Sequence, residues 1–121
     1  MNIILENQNS EEIKQKYILL ELDKVKYSSD GESISSYCVI DKEHITLQEI
    51  PLMEYNINLH NNLIKNYRLK NWKFCEDAFE HLVGKFQGEC DSFYNILSER
   101  IKNFKETDPG KDWDFSIIIR Q

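Results

Sequence analysis

The sequence predicts an α+β fold: a small antiparallel β-sheet, built from an N-terminal hairpin and a C-terminal strand, packed against a three-helix layer. Three observations carry this reading. Two strand-forming segments flank an Asp30-Gly31 turn, the hydrophobic period changes from two to nearly four after Thr46, and the chain closes on an alternating apolar run.

Tyr17 to Tyr27 and Ile34 to Ile40 are rich in β-branched and aromatic residues, and Ser28-Ser29-Asp30-Gly31-Glu32 between them supplies the turn of a hairpin. A helix competes over Ser10 to Val25, where Ile13, Tyr17 and Leu20 recur at helical spacing; the β-branched content and the Asp-Gly turn favour strands. Thr46-Leu47-Gln48-Glu49 has the capping-box pattern and Pro51 suits a first helical turn, so a helix is expected from Pro51 to Leu69. Asn71 is positioned to cap a second, Trp72 to Phe86, which Gly88 closes. A third runs from Cys90 to Phe104. After the Asp108-Pro109-Gly110 turn, Phe115 to Arg120 reads as a strand with Phe115, Ile117 and Ile119 on one face. Residues 1–121 then make one domain, with strands mainly in 1–45, helices in 46–105 and the last strand in 113–120.

The chain has 121 residues, 40 % of them hydrophobic, which suffices for one core and excludes disordered and low-complexity classes. Its apolar runs are four residues or fewer, far below the roughly 20 that span a bilayer. The first residues lack the basic region of a signal peptide, so a cytoplasmic protein without membrane contact is expected. Cys38, Cys75 and Cys90 are odd in number and widely spaced, as reduced thiols would be. One Ala against 15 Ile, 11 Asn and 12 Lys fits a low-GC genome, and with the small size suits a phage-encoded accessory protein acting in a host cytoplasm.

The helix faces carry the remaining information. Cys90, Phe93, Tyr94, Leu97, Ile101 and Phe104 form one core stripe on the third helix. The second turns Trp72, Cys75, Ala78, Phe79, Leu82, Val83 and Phe86 inward and Phe74 outward among Asp77, His81 and Lys85, making Phe74 a candidate partner contact. On the first helix, Leu52, Tyr55, Leu59, Leu63 and Tyr67 lie beside Met53, Ile57 and Ile64, an apolar arc of roughly 200°, wider than a surface helix requires. Either that helix is central or it supplies a dimer interface. His60 falls within the arc. A core histidine with satisfied hydrogen bonds is the commoner arrangement there, and a ligand-contacting imidazole is the functional one.

Chemical motifs are sparse. Asp77 and His81 share a helix face, but no two-His or Glu-x-x-His pattern accompanies them, so no metal site is expected. There is no P-loop and no dinucleotide fingerprint, and the four glycines are scattered, so no cofactor is expected. No nucleophile elbow is present and no catalytic residue is assigned. Lys65, Arg68, Lys70 and Lys73 interleave with Tyr67 and Trp72, a pattern able to contact phosphates and stack on bases; the net charge of −6, and a helix dipole that itself favours late cations, weigh against it. The expectation is an interaction or regulatory protein, homodimeric through the 46–69 helix, with an unknown protein partner. The alternative is a small-ligand or nucleic-acid-binding protein using His60 or the Lys65–Lys73 patch.

Overall fold

The computed structural model describes residues 1–8 and 10–119. In chain order the elements are β1 (Ile3–Leu5), α1 (Glu11–Lys16), β2 (Tyr17–Lys26), β3 (Ile34–Asp41), α2 (Ile50–Arg68), α3 (Trp72–Leu82), α4 (Asp91–Glu106) and β4 (Ser116–Ile118). One four-stranded sheet, in the order β1-β3-β2-β4, packs on helices, which makes the fold α+β as the patterning predicts.

The hairpin forms where expected. The amide of Gly31 closes the turn onto the Ser28 carbonyl at 3.1 Å, and β2 and β3 pair antiparallel from Tyr17↔Asp41 to Val25↔Ile34. The period of two sends Ile18, Leu20, Cys38 and Ile40 to the core, and their neighbours Leu19, Val39, Glu21 and Tyr37 to the other face. A bulge between Glu21 and Lys24 breaks this register. In the contested stretch the helix is confined to α1. Ser10 caps it by accepting the Ile13 amide, and the Lys42 ammonium donates to its last carbonyls, Lys14 and Gln15, each at 3.3 Å.

Four sequence expectations need correction. The sheet is mixed, not antiparallel, because β4 runs parallel to β2 at Lys24↔Ser116 to Lys26↔Ile118. The three helices act as the long crossover that a parallel strand needs, a geometry that alternation of residues does not reveal. The last strand is also shorter than 115–120: Phe115 has φ 68°, outside the strand region, and Arg120 lies outside the described residues. The second helix stops at Leu82, since Val83 is extended and Gly84 takes φ 84°. Asn71 makes no side-chain cap; its amide donates to the Asn66 side-chain oxygen at 3.0 Å.

The core joins Leu20, Leu22, Cys38 and Ile40 of the sheet to Leu63, Ile64, Phe79, Leu82, Phe93, Leu97 and Ile101 of the helices. A second cluster is aromatic. Trp72 stacks on Phe104 at 5.5 Å, and Trp113 meets Tyr67 and Phe104 edge-on at 5.2 Å each, which docks the C-terminal segment onto the helices. Lys70 with Asp108, at 2.8 Å, and Lys26 with Asp114, at 2.7 Å, hold the same segment.

Leu20 is fully enclosed between the sheet and the helices. Leu20→Ala is expected to lower stability by about 3 kcal/mol, through lost burial and the cavity left behind. Urea unfolding measures this, and a loss below about 1 kcal/mol would show that the sheet–helix junction is not packed as described.

Candidate functional site

Helix α2 runs along β2 and carries His60, Lys65 and Arg68 of the candidate residues. His60, at its middle, is fully buried. Its Nε2 lies 2.7 Å from the Glu21 carbonyl of β2 and its Nδ1 lies 2.9 Å from the Tyr94 hydroxyl of α4. A carbonyl can only accept, so Nε2 carries the proton and Nδ1 accepts from Tyr94. Burial lowers the His60 pKa below its ordinary 6.5, with the Glu21 carbonyl pulling the other way. The imidazole is therefore neutral, and both nitrogens are satisfied. Phe86, Phe93 and Tyr94 surround the ring, with centroids 5.7 to 6.3 Å away.

The neighbouring Cys38 thiol and burial push Cys90 well above the usual thiol range, and burial pushes Cys75 up to about 12. Cys75 and Cys90 are thus protonated core thiols rather than reactive ones.

The Lys65–Lys73 patch resolves into separate ion pairs. Arg68 meets Glu21 at 3.4 Å, Lys70 meets Asp108 at 2.8 Å and Lys73 meets Asp77 at 2.9 Å. Among the described residues, Lys65 makes no ion pair. Tyr67 is buried and Trp72 half-buried, as their stripes predict. Phe74, expected to face outward, is half-buried and packs against the core. The structure thus brings Lys65 and Arg68 together, and places His60, Phe74 and Lys73 elsewhere.

Two open grooves flank α2. The first, about 320 Å³, lies beside its N-terminal half and is lined by Ile18, Ile45, Ile50, Met53 and Ile57 together with Lys42 and Glu54. Next to it in sequence, Leu47 (85 % exposed), Leu52 (57 %) and Tyr55 (60 %) project into solvent. The predicted arc is therefore split. The C-terminal half of α2 buries Leu63, Ile64 and Tyr67, while the N-terminal half keeps an uncovered apolar ridge. The second groove, also about 320 Å³, lies beside the C-terminal half, between Glu21, Asn61, Ile64, Lys65, Arg68, Leu69 and Phe115. Arg68 stands over the Phe115 ring at 5.8 Å. The left-handed backbone of Phe115 costs about 1–3 kcal/mol. Asp114 offsets that cost by accepting both the amide and the hydroxyl of Ser116, while Trp113 packs on the Phe115 ring at 4.9 Å.

Three residues of this arrangement escape sequence reasoning. Arg100 of α4 donates to both carboxylate oxygens of Asp23, at 2.7 and 3.3 Å, and to the Tyr67 hydroxyl at 3.2 Å. A signal existed for Arg100: in a chain with 12 Lys and 3 Arg, an arginine on a helix marks a place needing a planar, bidentate donor. Asp23 and Phe115 carried none, since a bulge aims one and a strained turn the other. No helix among the described residues is long and apolar enough to cross a membrane, and no three His, Cys, Asp or Glu side chains among them gather as metal ligands.

Because the folded His60 pKa is lowered, the unfolded chain binds more protons just below pH 6.5. Its stabilising contribution is complete above that pH and declines as pH falls towards the folded pKa, by at most about 1.4 kcal/mol per pH unit. Stability curves from pH 7 to 5 should show this slope in wild type and not in His60→Gln, and the His60 Cε1 resonance should not titrate near 6.5. Tyr94→Phe, which removes the donor to Nδ1, should cost about 1–3 kcal/mol. A normal His60 titration would refute the neutral bridge. Set beside known proteins, the chain matches no family model, no curated protein and no solved structure.

Proposed function

We propose that this protein is an interaction or regulatory module that self-associates through the N-terminal half of α2. The observation that carries the reading is the apolar surface left open on two flanks of this half-helix: exposed Leu52 and Tyr55 on one, and the groove of Ile18, Ile45, Ile50, Met53 and Ile57 on the other. Single exposed apolar side chains are ordinary, but exposed Leu52 and Tyr55 together with an open apolar groove at the same end of one helix exceed that ordinary scatter. A second copy suits it. A two-fold contact is self-complementary, and the groove supplies one cation, Lys42, and one anion, Glu54, so that each copy can offer both to the other.

The nucleic-acid reading has less support, because Arg68, Lys70 and Lys73 are already paired with carboxylates and Tyr67 is not free to stack. The cytoplasmic and phage-associated readings rest on the sequence alone.

Sedimentation equilibrium from 1 to 100 µM is the test, these concentrations spanning roughly the affinities of ordinary homodimers. Dimer is expected, with Leu52→Glu raising the dissociation constant at least about tenfold, equivalent to about 1.4 kcal/mol. Glu54→Lys, which sets like charges against Lys42 of the second copy, should weaken association. A wild-type monomer throughout would overturn the proposal.

A further inference from the structure

The second groove points to a different activity from self-association. It has an apolar floor, Ile64, Leu69 and Phe115, and three charged side chains, Glu21, Lys65 and Arg68. Arg68 is committed twice, to the Glu21 carboxylate and to the face of Phe115. Glu21 is likewise committed, accepting the Ser35 hydroxyl at 2.7 Å on its other oxygen. Lys65 is the one charge of the groove without a partner among the described residues, and the lining as a whole carries a single net positive charge.

From this we infer that the groove between the C-terminal half of α2 and Phe115 binds a small amphipathic monoanion, a carboxylate on an aromatic or short aliphatic body. The body lies on Leu69, Ile64 and the Phe115 ring, and the carboxylate meets the Lys65 ammonium. Charge decides the ligand class. One uncommitted cation balances one carboxylate, whereas a phosphate dianion or a nucleotide would need Arg68 released from Glu21. Size limits the body: about 320 Å³ holds on the order of ten non-hydrogen atoms at roughly 30 Å³ each. The strained Phe115 backbone is consistent with a ring held where a ligand needs it, since such strain concentrates at binding sites.

The probe is 3-phenylpropanoate, titrated into ¹⁵N-labelled protein, with 3-phenylpropanamide as the uncharged isostere. The acid should give saturable shifts at Lys65, Leu69 and the Phe115 amide, with a Kd of about 5 mM or tighter, as a ligand of this size allows. The amide should bind about two- to fivefold more weakly, the loss of one solvent-exposed charge pair. Lys65→Gln should bring the acid down to the level of the amide and leave the amide unchanged, a coupling that isolates the charge contact. Leu69→Ser should weaken both, and Leu52→Glu neither, which separates this site from the self-association surface. Equal binding of acid and amide, insensitivity to Lys65→Gln, absence of saturation, or shifts centred on Ile50 and Met53 would each overturn the inference.

Discussion

A neutral imidazole between a strand and two helices is the contact on which this architecture depends. β4 pairs with β2 only at Lys24 to Lys26, so the preceding part of β2 has no strand neighbour on the side away from β3. A buried carbonyl left there without a donor would cost as much as a lost hydrogen bond. His60 supplies that donor to Glu21 and takes its own second bond from Tyr94, joining β2, α2 and α4 through one side chain. Histidine suits the position because its neutral ring donates at one end and accepts at the other, which no aliphatic or ammonium side chain can do.

A second polar tie fixes the sheet to the helices one step along. The bulge after Glu21 turns Asp23 out of the alternating pattern, and Arg100 grips it with two parallel bonds while also reaching the Tyr67 hydroxyl. Tyr67 in turn is part of the aromatic cluster that receives Trp113. The position of the C-terminal segment, and hence of Phe115 beside α2, follows from this chain of contacts. A site at the far end of α2 is thus set by residues from β2, α4 and the C-terminal segment.

The same helix behaves differently along its length because its neighbours do not cover it evenly. Its C-terminal half is enclosed by β2, α3 and α4, and there apolar residues become core. In its N-terminal half Met53 and Ile57 pack only partly against the core, and Leu52 and Tyr55 become surface. The apolar surplus of α2 and its uncommitted lysine therefore sit at opposite ends of one rigid element, which lets association and ligand contact be read as separate properties.

Sequence reasoning reaches the elements and much of the core. The hairpin, its Asp-Gly turn, three of the four helices and the core stripe of α4 follow from period and turn chemistry, which are local properties of the chain. A buried, hydrogen-bonded His60 was the commoner of the two arrangements the sequence allowed, because its helix angle placed it within the apolar arc, between Tyr67 and Met53. The partners of that imidazole were not legible, nor was the direction of β4, the aim of Asp23, or the pairing that leaves Lys65 alone among four cations. Each of these depends on segments far apart in the chain, Glu21 with His60 and Tyr94, Asp23 with Arg100, Lys70 with Asp108. What the sequence by itself determined was which residues are apolar, at what period, and where the chain turns. Which faces end up covered, and which charges end up neutralised, was decided only by tertiary structure, because coverage and ion pairing belong to neighbours that local pattern cannot name.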